Sequence, residues 1–183
     1  MLTNFSLKAT ARLAGGCYLL TILTGMVGAL VAAPRASALA TLLSFGFYAG
    51  VTFFMYHLFA AAHARLSLLA AGISLIGCGL GVLEVLAPDL APVKSLVFFG
   101  IYCLLMSYLI WHSGLLPRWL GGLLALSGLG WLTFLAPSLV HFISPLPMVS
   151  GLVGEGALTL WLLIGRVPYP ALAQPDAVAI PLA

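Results

Sequence analysis

Of the 183 residues, 63% are hydrophobic and only 6% are charged, whereas roughly a quarter are charged in a soluble globular domain. That balance excludes a domain dissolved in water and points to one dissolved in lipid. The formal charge of +3 is not gathered into a basic stripe with interleaved aromatics, so no nucleic acid is expected as a partner.

Hydropathy resolves about six apolar runs, at 13–33, 37–61, 66–87, 93–111, 119–136 and 148–164. Each is near the roughly 20 residues that a helix needs to cross about 30 Å of hydrocarbon. Lipid-facing peptide groups must be satisfied within the protein, and long runs without strict alternation do this as helices rather than as barrel strands. The expected fold is therefore all-α: an integral membrane bundle of six transmembrane helices within 1–166, followed by a Pro-rich, extended C-terminal tail over 167–183.

The first run, preceded by Lys8 and Arg12, imitates a secretory signal, but its apolar core exceeds the roughly 7–15 residues of a signal h-region. It is read as a first membrane helix. The connections "AAPRAS", "HARLS", "APDLAPVK", "HSGLLPRW" and "APSLVHFISPLP" are short, with prolines at or beside helix ends, where a missing N–H costs least. Counting alternate ends, Lys8, Arg12, Arg65, Arg118 and Arg166 share one side, and Arg35 and Lys94 share the other. The excess of basic residues marks the first side as cytoplasmic, which puts both termini there.

Within the sixth run, "MVSGLVGEGALTLWLLIG" carries Glu155 near mid-span. An ionised carboxylate at that depth costs several kcal/mol, so it should face the interior, meet a donor or be carried in neutral form. It is read either as a functional acid or as a polar bridge between helices. Glu84, near the outer end of the third run, belongs either to a solvated cluster with Asp89 and Lys94 or to the mouth of a path leading to Glu155.

Ser44, Tyr48, Thr52 and Tyr56 step by four and form one semi-polar stripe, suited to interhelical hydrogen bonds or to a substrate groove. Tyr102, Ser107 and Tyr108 form a similar set, and Trp111 and Trp119 read as an interfacial belt. Glycine pairs 46/50 and 77/81, with Gly151, Gly154 and Gly156, promise close helix contacts, or room for a ligand beside Glu155. Cys17, Cys78 and Cys103 have no metal or redox spacing and read as small packing residues.

His57 and His63 are six residues apart and cannot share an ion on one unbroken helix. No metal and no cofactor are expected; haem b held between His57 and His112 on facing helices is the one cofactor geometry the pattern permits. Nucleophile-elbow, zinc-protease, phosphate-loop and dinucleotide fingerprints do not occur.

The blocks "KATARLAGGCYLLTILTG", "FFGIYCLLMSYLIWHSGLLPRWLGGLLALSGLGWLTFLAP" and "GLVGEGALTLWLLIG" resemble a bacterial multi-pass membrane family known only as a domain of unknown function, DUF4386. Matched positions are Arg12, Gly15 and Tyr18, then Pro117, Arg118 and Gly121, then Glu155 and Trp161. The resemblance implies a compact helical membrane fold and brings no activity, substrate or cofactor. It also implies basic residues where this chain has Ser74 and His112, which would leave Glu155 without a buried cationic partner.

The leading expectation is a bundle that binds a small apolar or amphipathic molecule, such as a lipid, quinone, isoprenoid or pigment. Glu155 would be the polar contact, with Tyr48, Thr52, Tyr102 and Trp161 around it. The second is an intramembrane enzyme using Glu155, with Glu84, as general acid and base on a hydrophobic substrate such as an isoprenoid. The third is an accessory subunit, with membrane lipids, a homo-oligomer or a larger membrane complex as partners.

Overall fold

The structure is a computed structural model that describes residues 6–165; the expected tail at 167–183 lies outside them. The described residues form six helices: α1 (Leu7–Leu30), α2 (Pro34–Leu86), α3 (Ser95–Ser113), α4 (Arg118–Leu132), the short α5 (Pro137–Ile143) and α6 (Leu146–Ile164). Helix α1 starts earlier than hydropathy places it, because Ser6 Oγ accepts from the Ala9 N–H at 3.2 Å and so supplies an N-cap ahead of the apolar run. Pro34 and Pro137 open α2 and α5, positions where the lost N–H has no intrahelical partner. Gly114 ends α3 with φ 66°, a left-handed conformation that glycine adopts without Cβ strain. Helix α5 is a correction: it occupies the connection expected as a plain turn.

Helix α2 runs 53 residues and would be about 80 Å long if straight. It is not straight. His63 leaves helical geometry at φ −148°, ψ 73°. The Phe45 ring covers Gly81, and the hydroxyls of Thr52 and Ser74 lie 2.6 Å apart. Both pairs are symmetric about position 63, so limbs 34–62 and 64–86 fold back on each other, antiparallel. The expected loop between spans is reduced to one residue, because Ala60, Ala61, Ala62, Ala64 and Arg65 are all strong helix formers that keep the chain helical up to and away from the break.

Neighbours in sequence are neighbours in space. Helix α1 packs on the first limb of α2 through Gly28 against Ser37 and Thr41, and through Gly50 against Cys17. The second limb meets α3 where Gly77 lies under Phe98 and Phe99. Helix α3 packs on α4, α4 on α6, and α6 closes the ring against α1.

The surface is apolar: Leu23, Leu39, Leu68, Leu129, Leu152 and Leu160 are each at least half exposed, while Thr52, Ser67, Ser74, Ser127, Glu155 and Thr159 are buried. Exposed apolar area of this extent marks a lipid-facing surface. Five of the helices are long and apolar enough to cross a membrane. The molecule is a multi-pass membrane protein.

The interior is divided along its axis. At the end holding the start of α1, the His63 break and the start of α4, it is filled by Met55, Leu58, Phe59, Leu109, Ile110, Leu120, Leu124, Leu158 and Leu162. At the opposite end it is hollow.

The reversal at His63 has a direct chemical test. With the native cysteines replaced, a Thr52→Cys/Ser74→Cys variant is expected to form an intramolecular disulfide on mild oxidation, read as a 2 Da mass loss of the intact monomer, since the two side chains lie within disulfide reach. In an unbroken helix these positions would be about 33 Å apart and no such product would form.

Candidate functional site

The hollow end contains a cavity of about 420 Å³ walled by α1, both limbs of α2, α3, α4 and α6. Its rim carries Gly28, Ala29, Thr41, Glu84, Ser95 and Met148, and its inner wall carries Thr21, Ser44, Tyr48, Phe99, Trp131 and Glu155. Going from Met148 to Glu155 on α6, or from Thr41 to Tyr48 on the first limb, descends about 10 Å along the axis. The cavity is therefore a shaft from one end of the bundle to its middle, with Glu155 at the bottom.

Glu155 is 8% exposed. Its Oε1 accepts from the Trp131 indole N–H at 2.7 Å, from Ser127 Oγ at 3.4 Å and, more distantly, from Cys103 Sγ at 4.0 Å. An indole N–H only donates, so Oε1 is an acceptor whatever the protonation state. In a neutral acid the proton would sit on Oε2, to which no donor among the described residues is directed. Glu155 meets no cation among the described residues; neutral donors on α3 and α4 hold it instead.

Backbone spacing makes this contact possible. A Cβ at Gly151 would overlap the Trp131 ring, and a Cβ at Gly154 would press on Leu123 and Ser127. Both glycines serve helix approach. A Cβ at Gly156 would meet nothing within 4 Å. Of the two readings of these glycines, close packing holds at Gly151 and Gly154.

Above Glu155 the shaft is aromatic. Tyr48 stands 4.5 Å from Phe99, 5.6 Å from Tyr18 and 6.0 Å from Tyr102, centroid to centroid. The hydroxyls of all three tyrosines are buried without a hydrogen-bond partner. Each such group forgoes on the order of 1–3 kcal/mol relative to a satisfied one.

At the rim, Glu84 Oε1 accepts from the Ser95 backbone N–H at 2.8 Å and Oε2 from Ser95 Oγ at 3.1 Å. It therefore caps the positive end of α3, while Asp89 and Lys94 stay exposed beside it. Both carboxylates line the same cavity.

The remaining candidate residues are distributed elsewhere. The semi-polar stripe divides: Ser44 and Tyr48 line the shaft, whereas Thr52 binds Ser74 and ties the two limbs of α2. Tyr102 is buried beside Tyr48, outside the lining. Trp161 sits in a shallow groove with Trp119, Leu160 and Ile164, its ring 5.8 Å from that of Trp119. His57 is exposed with its ring against Phe53 and Tyr56, and His112 is exposed and stacked on Tyr108 at 3.9 Å. No group of three or more His, Cys, Asp or Glu among the described residues is placed to hold a metal ion.

Sequence reasoning missed Trp131, Ser127 and Cys103 as the donors to Glu155. One signal was available: Trp131 follows Ser127 by four on a single face of α4, and a partly buried tryptophan needs a partner for its N–H.

Gly151→Ala, which drives a methyl group into the indole, is expected to lower stability by roughly 1–3 kcal/mol. Trp131→Phe, which removes the principal donor to Oε1, should cost a similar ~1–3 kcal/mol. Because both act on one contact, the double variant should fall short of the sum by more than 0.5 kcal/mol, roughly the limit within which independent sites add. Denaturant titration in detergent micelles reads all three.

Residues 89–165 match a family model, the domain of unknown function DUF4386. The match takes in α3 to α6, and with them Cys103, Ser127, Trp131 and Glu155. The first resembling block, with Arg12, Gly15 and Tyr18, lies outside it. No curated protein and no solved structure matches the chain. The part of the bundle that holds Glu155 and its donors, residues 89–165, is thus similar to the DUF4386 domain of unknown function.

Proposed function

We propose that this protein crosses the bacterial cytoplasmic membrane six times, the two limbs of α2 counting separately, and binds a small apolar or amphipathic molecule in the shaft above Glu155. The observation that carries this reading is the combination of a cavity of about 420 Å³ with a nearly buried carboxyl whose Oε2 takes no protein donor among the described residues. Small-molecule sites typically have about 300–1,000 Å³, mostly apolar walls and a few convergent polar groups, and the shaft fits that description.

Basic residues orient it. Lys8, Arg12, Arg65 and Arg118 fall at the filled end, whereas Arg35 and Lys94 fall at the hollow end. With the filled end cytoplasmic, both termini lie in the cytoplasm and the shaft opens on the outer face.

A second reading, an intramembrane acid–base enzyme, draws support from Glu84 and Glu155 sharing one cavity. It is the less favoured, because both oxygens of Glu84 are engaged with Ser95 and the acid is better suited to holding α3 than to exchanging protons with a substrate.

Binding is tested on what travels with the protein. Organic extracts of wild-type protein purified in mild detergent should contain a species, found by mass spectrometry, that is depleted at least ten-fold in Glu155→Gln and in Gly25→Phe, the latter filling the shaft from α1. Extracts identical across the three proteins would overturn the reading.

A further inference from the structure

The ligand class can be narrowed from the charges and rings that line the shaft. Of its lining residues none is Lys, Arg or His, while two are glutamates. Glu84 is consumed by Ser95, which leaves Glu155 Oε2 as the one carboxylate oxygen of the cavity without a protein donor among the described residues. A single open oxygen is a poor start for a divalent metal, since calcium and magnesium collect six or more oxygen ligands. It matches one ammonium group.

The walls favour the same charge. Phe45, Tyr48, Phe99 and Trp131 line the cavity together, with Phe45 and Phe99 stacked at 6.1 Å and Tyr48 tilted against Phe99 at 4.5 Å. Ring faces attract cations, more strongly when desolvated. An anionic headgroup would instead meet two carboxylates and no cation. Glu155 is 8% exposed and held only by neutral donors among the described residues, so its ionised form is stabilised when a cation reaches it.

Resting on the binding reading above, we propose that the shaft takes an organic monocation: a small amine in its ammonium form, with its nitrogen on Glu155 Oε2 and its apolar body between the Phe45, Tyr48 and Phe99 rings. No covalent step is involved.

Equilibrium dialysis of the full chain in phosphatidylcholine nanodiscs, corrected by empty discs, tests this with three probes on one frame: 4-phenylbutylamine, 4-phenylbutanol and 4-phenylbutyrate. The wild-type protein is expected to bind the amine at least ten-fold more tightly than the alcohol, and the carboxylate not measurably. In Glu155→Gln the amine should fall to the affinity of the alcohol, with the alcohol unchanged. The ranking on the wild type requires no variant, so it stands even where Glu155→Gln folds poorly. Equal binding of amine and alcohol to the wild type, or an amine preference that survives in a folded Glu155→Gln protein, would overturn the cation assignment and leave small-molecule binding intact. Retention of none of the three above empty discs would overturn both.

Discussion

The hydrogen bond from the Trp131 indole to Glu155 Oε1, at 2.7 Å, is the contact around which the hollow end of this bundle is organised. It requires α4 and α6 to approach closely, and they do so over Gly151 and Gly154, where any side chain would collide with Trp131, Leu123 or Ser127. It requires the donor to be fixed, and Trp131 is packed against Phe134 at 6.2 Å. A carboxyl held by one oxygen in this way cannot rotate freely. Its second oxygen keeps a constant direction, which is the condition for a small set of polar groups to select a ligand rather than merely tolerate one.

Around that contact the usual distribution of a protein interior is relaxed. Many leucines lie outside while hydroxyls join other leucines inside, because lipid makes no demand that apolar groups be hidden, and helices associate through close packing and hydrogen bonds instead. Most interior hydroxyls are satisfied within this scheme: Ser107 donates to the Gly121 carbonyl at 2.7 Å, Thr159 to that of Glu155 at 2.7 Å, and Thr52 pairs with Ser74. The tyrosine hydroxyls at 18, 48 and 102 are not. Unsatisfied groups are few in folded proteins and call for a cause; here three of them cluster around Tyr48, which lines the shaft, while Ser67 Oγ and the Trp161 N–H are unpartnered elsewhere.

Much of the architecture was legible in the chain before any coordinates. The apolar runs located the helices, since length and hydropathy alone decide what can cross about 30 Å of hydrocarbon. Glu155 was legible for the complementary reason: a charge is conspicuous where almost nothing else is polar. The reversal at His63 was legible as a boundary but not as a single residue, because alanines on both sides carry no turn signal. The shaft itself was hidden. Its wall is assembled from Thr21, Tyr48, Glu84, Phe99, Trp131 and Glu155, residues from five different helices whose facing depends on the rotation of each about its own axis. Hydropathy over all-apolar helices has almost no preferred side from which to read that rotation. For the same reason Tyr48 and Thr52, one turn apart on one stripe, could not be told apart, although one faces the shaft and the other the second limb of α2.

The shaft stops halfway. Below Glu155, tightly interlocked side chains including Leu58, Leu109, Ile110, Leu158 and Leu162 leave no exposed atom of consequence, and such packing gives way only when the helices themselves part. On the proposed reading of a bound small molecule, a well closed below in this way would return its guest by the side it entered, as a reservoir or a sensor does and a conduit does not.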